Sequence, residues 1–150
     1  MAQSLSNAML HTVFSTKNRE RFFQDSDLRS EVHQYLGGIA KSIECEPLII
    51  GGTCDHVHLL NSLSRTVSIA DMLKELKRGC SSWLRTEKGY EVFEWQSGYG
   101  TFSVSQSQVS IIKEYIENQE NHHQRMTFKE EYLMLLEKHG VEYDERYVFE

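Results

Sequence analysis

The chain has 150 residues, 39% of them hydrophobic and 25% charged, with one proline and nine glycines, a composition that fits one globular domain and excludes a disordered or fibrous protein. Its formal net charge of −6 argues against a protein that coats nucleic acid non-specifically. No apolar run could span a bilayer and the first residues lack a signal-peptide pattern, so we expect a cytoplasmic protein with no membrane partner.

The first strand and the first helix are predicted from residues 9 to 43. Residues 9–15 are rich in β-branched and aromatic side chains, which favours a strand. A basic loop follows, containing Lys17, Arg19 and Arg21. Asp25 or Ser26 can then cap a helix whose apolar residues recur every three or four positions to about residue 43.

The next segment predicts a hairpin, a second helix and one or two further strands. Residues 48–50 form a short apolar strand, and Gly51-Gly52 is interpreted as a bulge or turn before the strand that contains His56. Ser68 and Asp71 resemble a capping box for a helix ending before residue 89. Residues 93–96 and 99–104 supply strand-forming side chains.

The order strand, helix, strand, strand, helix, strand predicts an α+β protein with a ferredoxin-like antiparallel sheet, βαββαβ. Two additional helices follow, one capped by Ser105 with Gln108 and one running from Thr127 to about Lys138. Residues 127–150 hold seven acidic residues against three basic ones. We therefore expect one domain over 1–150, with a core of about 8–126 and an acidic C-terminal helix and tail over 127–150.

The triplet His56-Val57-His58 is the first candidate site. Side chains alternate along a strand, so both imidazoles would lie on one face while Val57 enters the core. Two imidazoles on one face could bind a divalent metal ion. A pair of histidines at the surface or the core edge is the more common explanation of such a triplet.

Tyr115 and Gln119 form the second candidate pair, four residues apart on the third predicted helix. Both could face a site on the sheet. A glutamine oxygen is a weak neutral ligand that leaves positions open on a metal ion, and a phenol near such an ion can act as a nucleophile. An ordinary tyrosine and an exposed helix glutamine are the alternative.

Taken together, these segments resemble a known family, the single-tyrosine HUH transposases of the smallest bacterial insertion sequences. The resemblance covers nearly the whole chain. It is carried by residues 11–17, by Gly51-Gly52 with Asp55-His56-Val57-His58-Leu59-Leu60, by Trp95-Gln96-Ser97-Gly98-Tyr99-Gly100 leading into residues 102–105, and by Tyr115-Ile116-Glu117-Asn118-Gln119-Glu120-Asn121-His122-His123.

The resemblance implies a role for each candidate. His56, His58 and Gln119 would bind magnesium or manganese, and Tyr115, on a C-terminal helix, would be the nucleophile. The enzyme would be a homodimer that cuts and rejoins single-stranded DNA at hairpin-containing element ends through a 5′-phosphotyrosine link, without a nucleotide cofactor. The resemblance does not decide whether Tyr115 acts in its own subunit or in the other one. It also does not decide whether this copy is mobile or host-adopted.

Candidate DNA contacts come from the two basic patches, where each residue is as readily explained as a solvated surface charge. They are Lys17, Arg19, Arg21, Lys74, Lys77, Arg78 and Arg85. His122 and His123 could touch metal or DNA, although polar helix-end residues are the simpler explanation. The alternative functions are a non-catalytic or host-adopted single-stranded nucleic-acid-binding protein, and a replication or mobilisation endonuclease, whose chains are commonly larger.

Overall fold

The computed structural model describes residues 2–150, and its elements follow the predicted order. They are β1 (Met9–Ser15), α1 (Ser26–Ser42), β2 (Pro47–Gly52), β3 (His56–Ser62), α2 (Ile69–Thr86), β4 (Gly100–Val104), α3 (Val109–Glu117), α4 (Gln119–His122) and α5 (Phe128–Lys138). Short 3₁₀ turns occupy residues 17–19 and 106–108. Among the described residues, no helix is both long and apolar enough to cross a membrane.

The four strands form one sheet in the order β2-β3-β1-β4, with every neighbouring pair antiparallel. This is the strand order of the ferredoxin-like βαββαβ arrangement, so the predicted fold class is confirmed. The strand with the two histidines, β3, lies inside the sheet between β2 and β1. His58 is paired with Val13 of β1 on one side and with Gly51 of β2 on the other.

The two faces of the sheet have different coverings. Phe14, Val57 and Leu59 lie in the main apolar core, together with the apolar stripes of α1 and α2. On the opposite face, Val13 packs with Phe102 and with the apolar residues of α5. The alternation of side chains along β1 and β3 therefore assigns one set of residues to the core and the other to the face beneath α3, α4 and α5.

Three helices begin where their capping residues predict. The side chain of Asp25 accepts a hydrogen bond from the amide of Asp27, that of Ser68 from Asp71, and that of Thr127 from Glu130. Each contact satisfies an amide that the helix itself leaves unpaired. The expected capping box at Ser105 is wrong, because the Ser105 hydroxyl contacts the Ser107 hydroxyl at 3.1 Å and a 3₁₀ turn precedes α3.

One further expectation is corrected. Gly51 and Gly52 belong to β2 and do not form the expected turn; Gly52 has a φ of 152°, and a Cβ there would lie 2.2 Å from the carbonyl oxygen of His56. Because Gly52 has no side chain, its backbone can approach the backbone of His56 closely within the hairpin. Of the one or two strands expected after α2, one forms, β4, while residues 93–96 make a single bridge between Trp95 and Thr16.

Candidate functional site

The two histidines of β3 lie side by side on the face beneath α3, α4 and α5. Both are fully buried, and their ring centroids are 5.1 Å apart. Val57 between them points into the main core. The expected alternation is confirmed, and it brings two imidazoles to one point of the sheet.

A polar partner at Nδ1 fixes the orientation of each histidine ring. Nδ1 of His56 lies 2.7 Å from a carboxylate oxygen of Asp55, and Nδ1 of His58 lies 2.8 Å from Nε2 of His11. Since both Nδ1 atoms are engaged, both Nε2 atoms face the interior of the site. Partners of this kind orient metal-binding histidines in other proteins.

Tyr115 and Gln119 do not share a helix, which corrects the prediction. Helix α3 ends at Glu117, Asn118 has non-helical angles (φ −97°, ψ 18°), and Gln119 begins the four-residue helix α4. Asparagine can leave helical geometry readily because its side chain competes with backbone hydrogen bonds. The break lets Gln119 become buried, with 1% of its surface exposed.

The structure nevertheless brings the four predicted site residues together. Oε1 of Gln119 lies 3.0 Å from Nε2 of His56. The ring of Tyr115 is 5.9 Å from the ring of His58, and its hydroxyl donates a hydrogen bond to Glu131. Two strand residues and two residues from separate helices thus surround one buried point.

That point is the carboxylate of Glu131, which the sequence analysis did not identify. Its Oε1 lies 2.9 Å from Nε2 of His58, 2.9 Å from Nε2 of His123 and 3.5 Å from Nε2 of His56. Its Oε2 accepts the hydrogen bond of Tyr115 and another, 2.9 Å long, from the Gln119 amide. A single buried carboxylate therefore contacts all four of the predicted catalytic and metal-binding residues.

A signal for Glu131 was present in the sequence of α5. Phe128, Tyr132 and Leu135 form the buried stripe of this helix, and Glu131 falls at a stripe position between them. A carboxylate on a buried stripe needs partners, because an unpaired buried charge is costly. By composition alone, Glu131 is one of seven acidic residues in the segment 127–150.

Burial and charge shape the ionisation of the site. Burial opposes ionisation of Glu131, but the surrounding histidines, His58 foremost, hold the pKa of its carboxyl well below the ordinary value. Burial, and then the charge of Glu131, raise the pKa of the Tyr115 phenol. The site thus contains an ionised carboxylate beside a protonated phenol.

The same group of side chains could hold a metal ion. One ligand atom each from His56, His58, His123 and Glu131 can be chosen so that all lie within 4.8 Å of one another. Imidazole nitrogen and carboxylate oxygen are common ligands of divalent metals. The half-buried His123 is therefore part of the cluster, and it is not merely a helix-end residue.

Four of the seven predicted DNA-binding residues line one groove beside α2. They are Lys74, Lys77, Arg78 and Arg85. The Lys77 ammonium donates to the carbonyl oxygens of residues 96, 97 and 98, and burial lowers its pKa to about 8. Arg78 pairs with Glu75 at 2.8 Å, and Arg85 donates to the carbonyl of Phe93. Lys74 is exposed.

The other three basic residues lie in the loop after β1, and each has a partner. Lys17 pairs with Glu94 at 2.8 Å with both side chains exposed. Arg19 donates to the carbonyl of Phe149 at 3.2 Å, and Arg21 donates to the Cys54 sulfur at 3.3 Å. Contact of any of the seven with DNA stays a prediction.

Comparison of the sequence with known protein families finds a family model that matches most of this chain. Residues 4–119 match the family model described as "Transposase IS200 like". No curated protein sequence matches the chain.

Two solved structures share the fold. One is a candidate transposase from Deinococcus radiodurans R1, with a TM-score of 0.60 and 23% identity over 79% of this chain and 98% of that one. The other is a REP-associated tyrosine transposase bound to a REP hairpin, with a TM-score of 0.61 and 11% identity over 82% of this chain and 72% of that one. Since the family match spans most of the sequence, this chain belongs to the IS200-like transposases, a family of enzymes that cleave and rejoin DNA.

Proposed function

We propose that this transposase cuts and rejoins single-stranded DNA at hairpin-containing element ends, with Tyr115 as the nucleophile. The observation that carries the proposal is the convergence of the Tyr115 hydroxyl, both strand histidines and Gln119 on one buried point. The resemblance of these positions to the single-tyrosine HUH transposases supports the same assignment. It also supports a homodimer as the working form.

His56, His58 and Gln119 are the residues that would hold magnesium or manganese. The ring contacts described above leave both Nε2 atoms facing inward, and the Gln119 oxygen lies 3.0 Å from one of them. Two imidazoles and an amide oxygen leave ligand positions open for phosphate oxygens. When bound, the ion supplies Lewis acidity that makes the phosphorus atom more electrophilic.

The chain itself supplies the nucleophile and a route for its proton. The Tyr115 oxygen forms a bond to phosphorus while the bond from phosphorus to the 3′-oxygen breaks, which leaves a 5′-phosphotyrosine and a 3′-hydroxyl. The phenolic proton leaves along the hydrogen bond to Glu131, whose lowered pKa means that the carboxylate passes the proton on, and the departing 3′-oxygen takes up a proton. Attack by another 3′-hydroxyl reverses the step, so strand joining needs no nucleotide cofactor.

A cleft beside Tyr115 offers a path for the DNA strand. It has a volume of about 740 Å³ and is lined by Tyr115, Asn118, Asn121, His122, Gln124, Arg125, Met126 and Met134. Side-chain amides and one guanidinium are suitable donors to phosphate oxygens. The hairpin bound by the REP-associated relative supports hairpin DNA as the substrate class here.

The whole chain is proposed to act as one domain that includes residues 127–150. Helix α5 packs its apolar residues against Val13 and Phe102 of the sheet and carries Glu131 into the site. The acidic segment therefore helps to build the site.

The alternative of a non-catalytic binder finds less support. A ferredoxin-like binder stacks bases on aromatic side chains exposed on its sheet. In the described strands the aromatic residues are Phe14 and Phe102, which are 0% and 3% exposed. Base stacking on the sheet surface would require the covering helices to leave.

The test is formation of a covalent adduct. Labelled single-stranded hairpin DNA from the flanks of the gene is incubated with the protein and manganese, and the protein is then separated by denaturing electrophoresis. We expect a shifted band that disappears with chelator and in Tyr115→Phe. Tyr147→Phe, which alters a tyrosine 57% exposed, is the matched control and should form the adduct normally.

An adduct that persists in Tyr115→Phe would reject Tyr115 as the nucleophile. Tight binding of the same DNA without any adduct, unaffected by His56→Ala, would reject the strand-transfer function and favour the binding protein.

A further inference from the structure

We propose that Glu131 and His123 are metal ligands alongside His56 and His58, giving a three-histidine, one-carboxylate centre that binds a transition-metal ion in preference to magnesium. This inference rests on the metal site of the proposed function and changes its composition. Helix α5 would then supply part of the metal centre.

The first argument is geometric. Oε1 of Glu131 lies between the three imidazoles, with Nε2 of His58 and of His123 each at 2.9 Å and Nε2 of His56 at 3.5 Å. Four such atoms within 4.8 Å of one another are close enough to bind the same ion. Neighbouring elements hold three of the four residues fully buried.

The second argument concerns the lone pair of His56. Asp55 accepts a hydrogen bond from Nδ1 of this ring, so in the neutral imidazole Nε2 carries a lone pair. That lone pair faces two oxygens, Oε1 of Gln119 at 3.0 Å and Oε1 of Glu131 at 3.5 Å. With Nε2 unprotonated, these three atoms are all electron-pair donors, and a cation between them would be attracted to each one.

The third argument is the charge of the cluster. The Glu131 carboxylate is fully buried, and the groups around its two oxygens are three imidazoles, a phenol and an amide. Buried charges are normally paired with an opposite charge or bound to a metal. A divalent ion at the imidazole side would provide that charge, while Oε2 keeps its contacts with Tyr115 and Gln119.

The donor set also determines the kind of ion. Magnesium prefers oxygen ligands and keeps several of its waters. Imidazole favours divalent ions of the first transition series. A mixed set of imidazole and carboxylate ligands suits manganese, iron or zinc. The match to the family ends at residue 119, so His123 and Glu131 are contributed by a part of the chain outside it.

The experiment measures metal binding without DNA. Full-length protein is titrated with Mn²⁺, free Mn²⁺ is followed by electron paramagnetic resonance, and an excess of Mg²⁺ is then added. We expect one tight Mn²⁺ site that Mg²⁺ does not displace. Glu131→Gln should weaken Mn²⁺ binding by about tenfold or more, whereas Glu130→Gln, which removes the same charge from an exposed neighbour, should bind as the parent does.

Unchanged or tighter Mn²⁺ binding in Glu131→Gln would overturn the proposal, because the carboxylate would then be a competitor for the histidines. Displacement of Mn²⁺ by Mg²⁺ would overturn the selectivity. If circular dichroism shows that Glu131→Gln does not fold, His123→Gln takes its place, since this half-buried side chain lies outside the helices. It should weaken Mn²⁺ binding; parent-like affinity would reject His123 as a ligand.

Failure of this ligand assignment can be distinguished from failure of the proposed strand-transfer function. Tyr115→Phe should bind Mn²⁺ like the parent, because its hydroxyl donates to Oε2 of Glu131 and the metal contact is assigned to Oε1. Mn²⁺ binding that depends on Glu131, together with no covalent adduct, would leave this inference standing and remove the strand-transfer mechanism.

Discussion

Gly51 lies directly beneath the backbone of Ile116. A Cβ at position 51 would be 2.6 Å from the carbonyl oxygen of Ile116 and 2.8 Å from its Cγ2. Because Ile116 adjoins Tyr115, this contact sets how closely the helix of the proposed nucleophile approaches the sheet.

Gly51→Ala should therefore push α3 outward. We expect the free energy of unfolding to fall by about 1–3 kcal/mol, as is usual for overpacking, and adduct formation to slow. Urea denaturation and the adduct assay measure the two effects. Gly38→Ala on α1 is the control, since nothing lies within 4 Å of its added Cβ; it should raise the free energy of unfolding by about 0.5–1 kcal/mol. Normal adduct rates in Gly51→Ala would show that α3 is not positioned by this contact.

Tyr115 should act in its own subunit. Its hydroxyl contacts Glu131 of the same chain, and its ring lies 5.9 Å from its own His58. Mixing Tyr115→Phe protein with His56→Ala protein should therefore give no adduct, because neither subunit has both groups. Each variant mixed with parent protein is the control. Adduct recovered from the mixture of the two variants would show that the tyrosine serves the partner's site.

His11→Leu should weaken metal binding although His11 is not a proposed ligand. It removes the partner of Nδ1 of His58 and frees that ring to turn. Loss of such an outer contact typically lowers metal affinity about 10- to 100-fold. Mn²⁺ titration measures the change. His139→Leu, which alters a histidine stacked on Phe102, should bind Mn²⁺ like the parent; equal affinities for both variants and the parent would refute the orienting role.

His33 should contribute to loss of stability in acid. Burial, and then the charge of Arg29, lower its pKa to about 4 from 6.5, and Nε2 finds no hydrogen-bond partner among the described residues. The unfolded chain then binds the proton more readily, so stability is full above pH 6.5 and declines as the pH falls towards 4.

His33→Gln should therefore flatten this decline, by on the order of 2 kcal/mol between the two ends of that window. Urea denaturation of parent and variant across the window measures the difference. Parallel pH profiles would show that His33 takes up no proton on unfolding.

Lys74→Ala should weaken binding of single-stranded hairpin DNA. Lys74 is exposed in the groove beside α2, and it forms no ion pair with any described residue. Loss of one phosphate contact should reduce the slope of log affinity against log salt by about 1. The exposed Lys113 on α3 is the control position, and Lys113→Ala should leave the slope unchanged. An unaltered slope in Lys74→Ala would exclude that contact.

Local patterns predicted most of the fold. The strands near residues 9, 48 and 56 and the starts of α1, α2 and α5 follow from side-chain alternation and capping residues, which act within a few positions. The break at Asn118 could not be predicted in this way. No proline or glycine interrupts residues 109–123, and only burial of Gln119 against His56 favours the bend.

Only those site residues that lie together in a short sequence pattern could be predicted to meet. His56 and His58 share a strand, so their meeting follows from the geometry of one element. Glu131 reaches them from 73 residues away along the chain, through the packing of α5 on the sheet. Lys77 shows the same limit, because its basic side chain is held by three loop carbonyls that no helical pattern could indicate.

The shared use of β3 by core and site constrains how this gene can change. Val57 and Leu59 fill the core while His56 and His58 occupy the other face. Inserting or deleting one residue in β3 would exchange these faces and bury imidazoles among leucines, so the protein would lose its fold together with its chemistry. The histidine pair can therefore be lost through point substitution in a chain that still folds, whereas insertion or deletion of a single codon within the strand would be eliminated as an unfolded product.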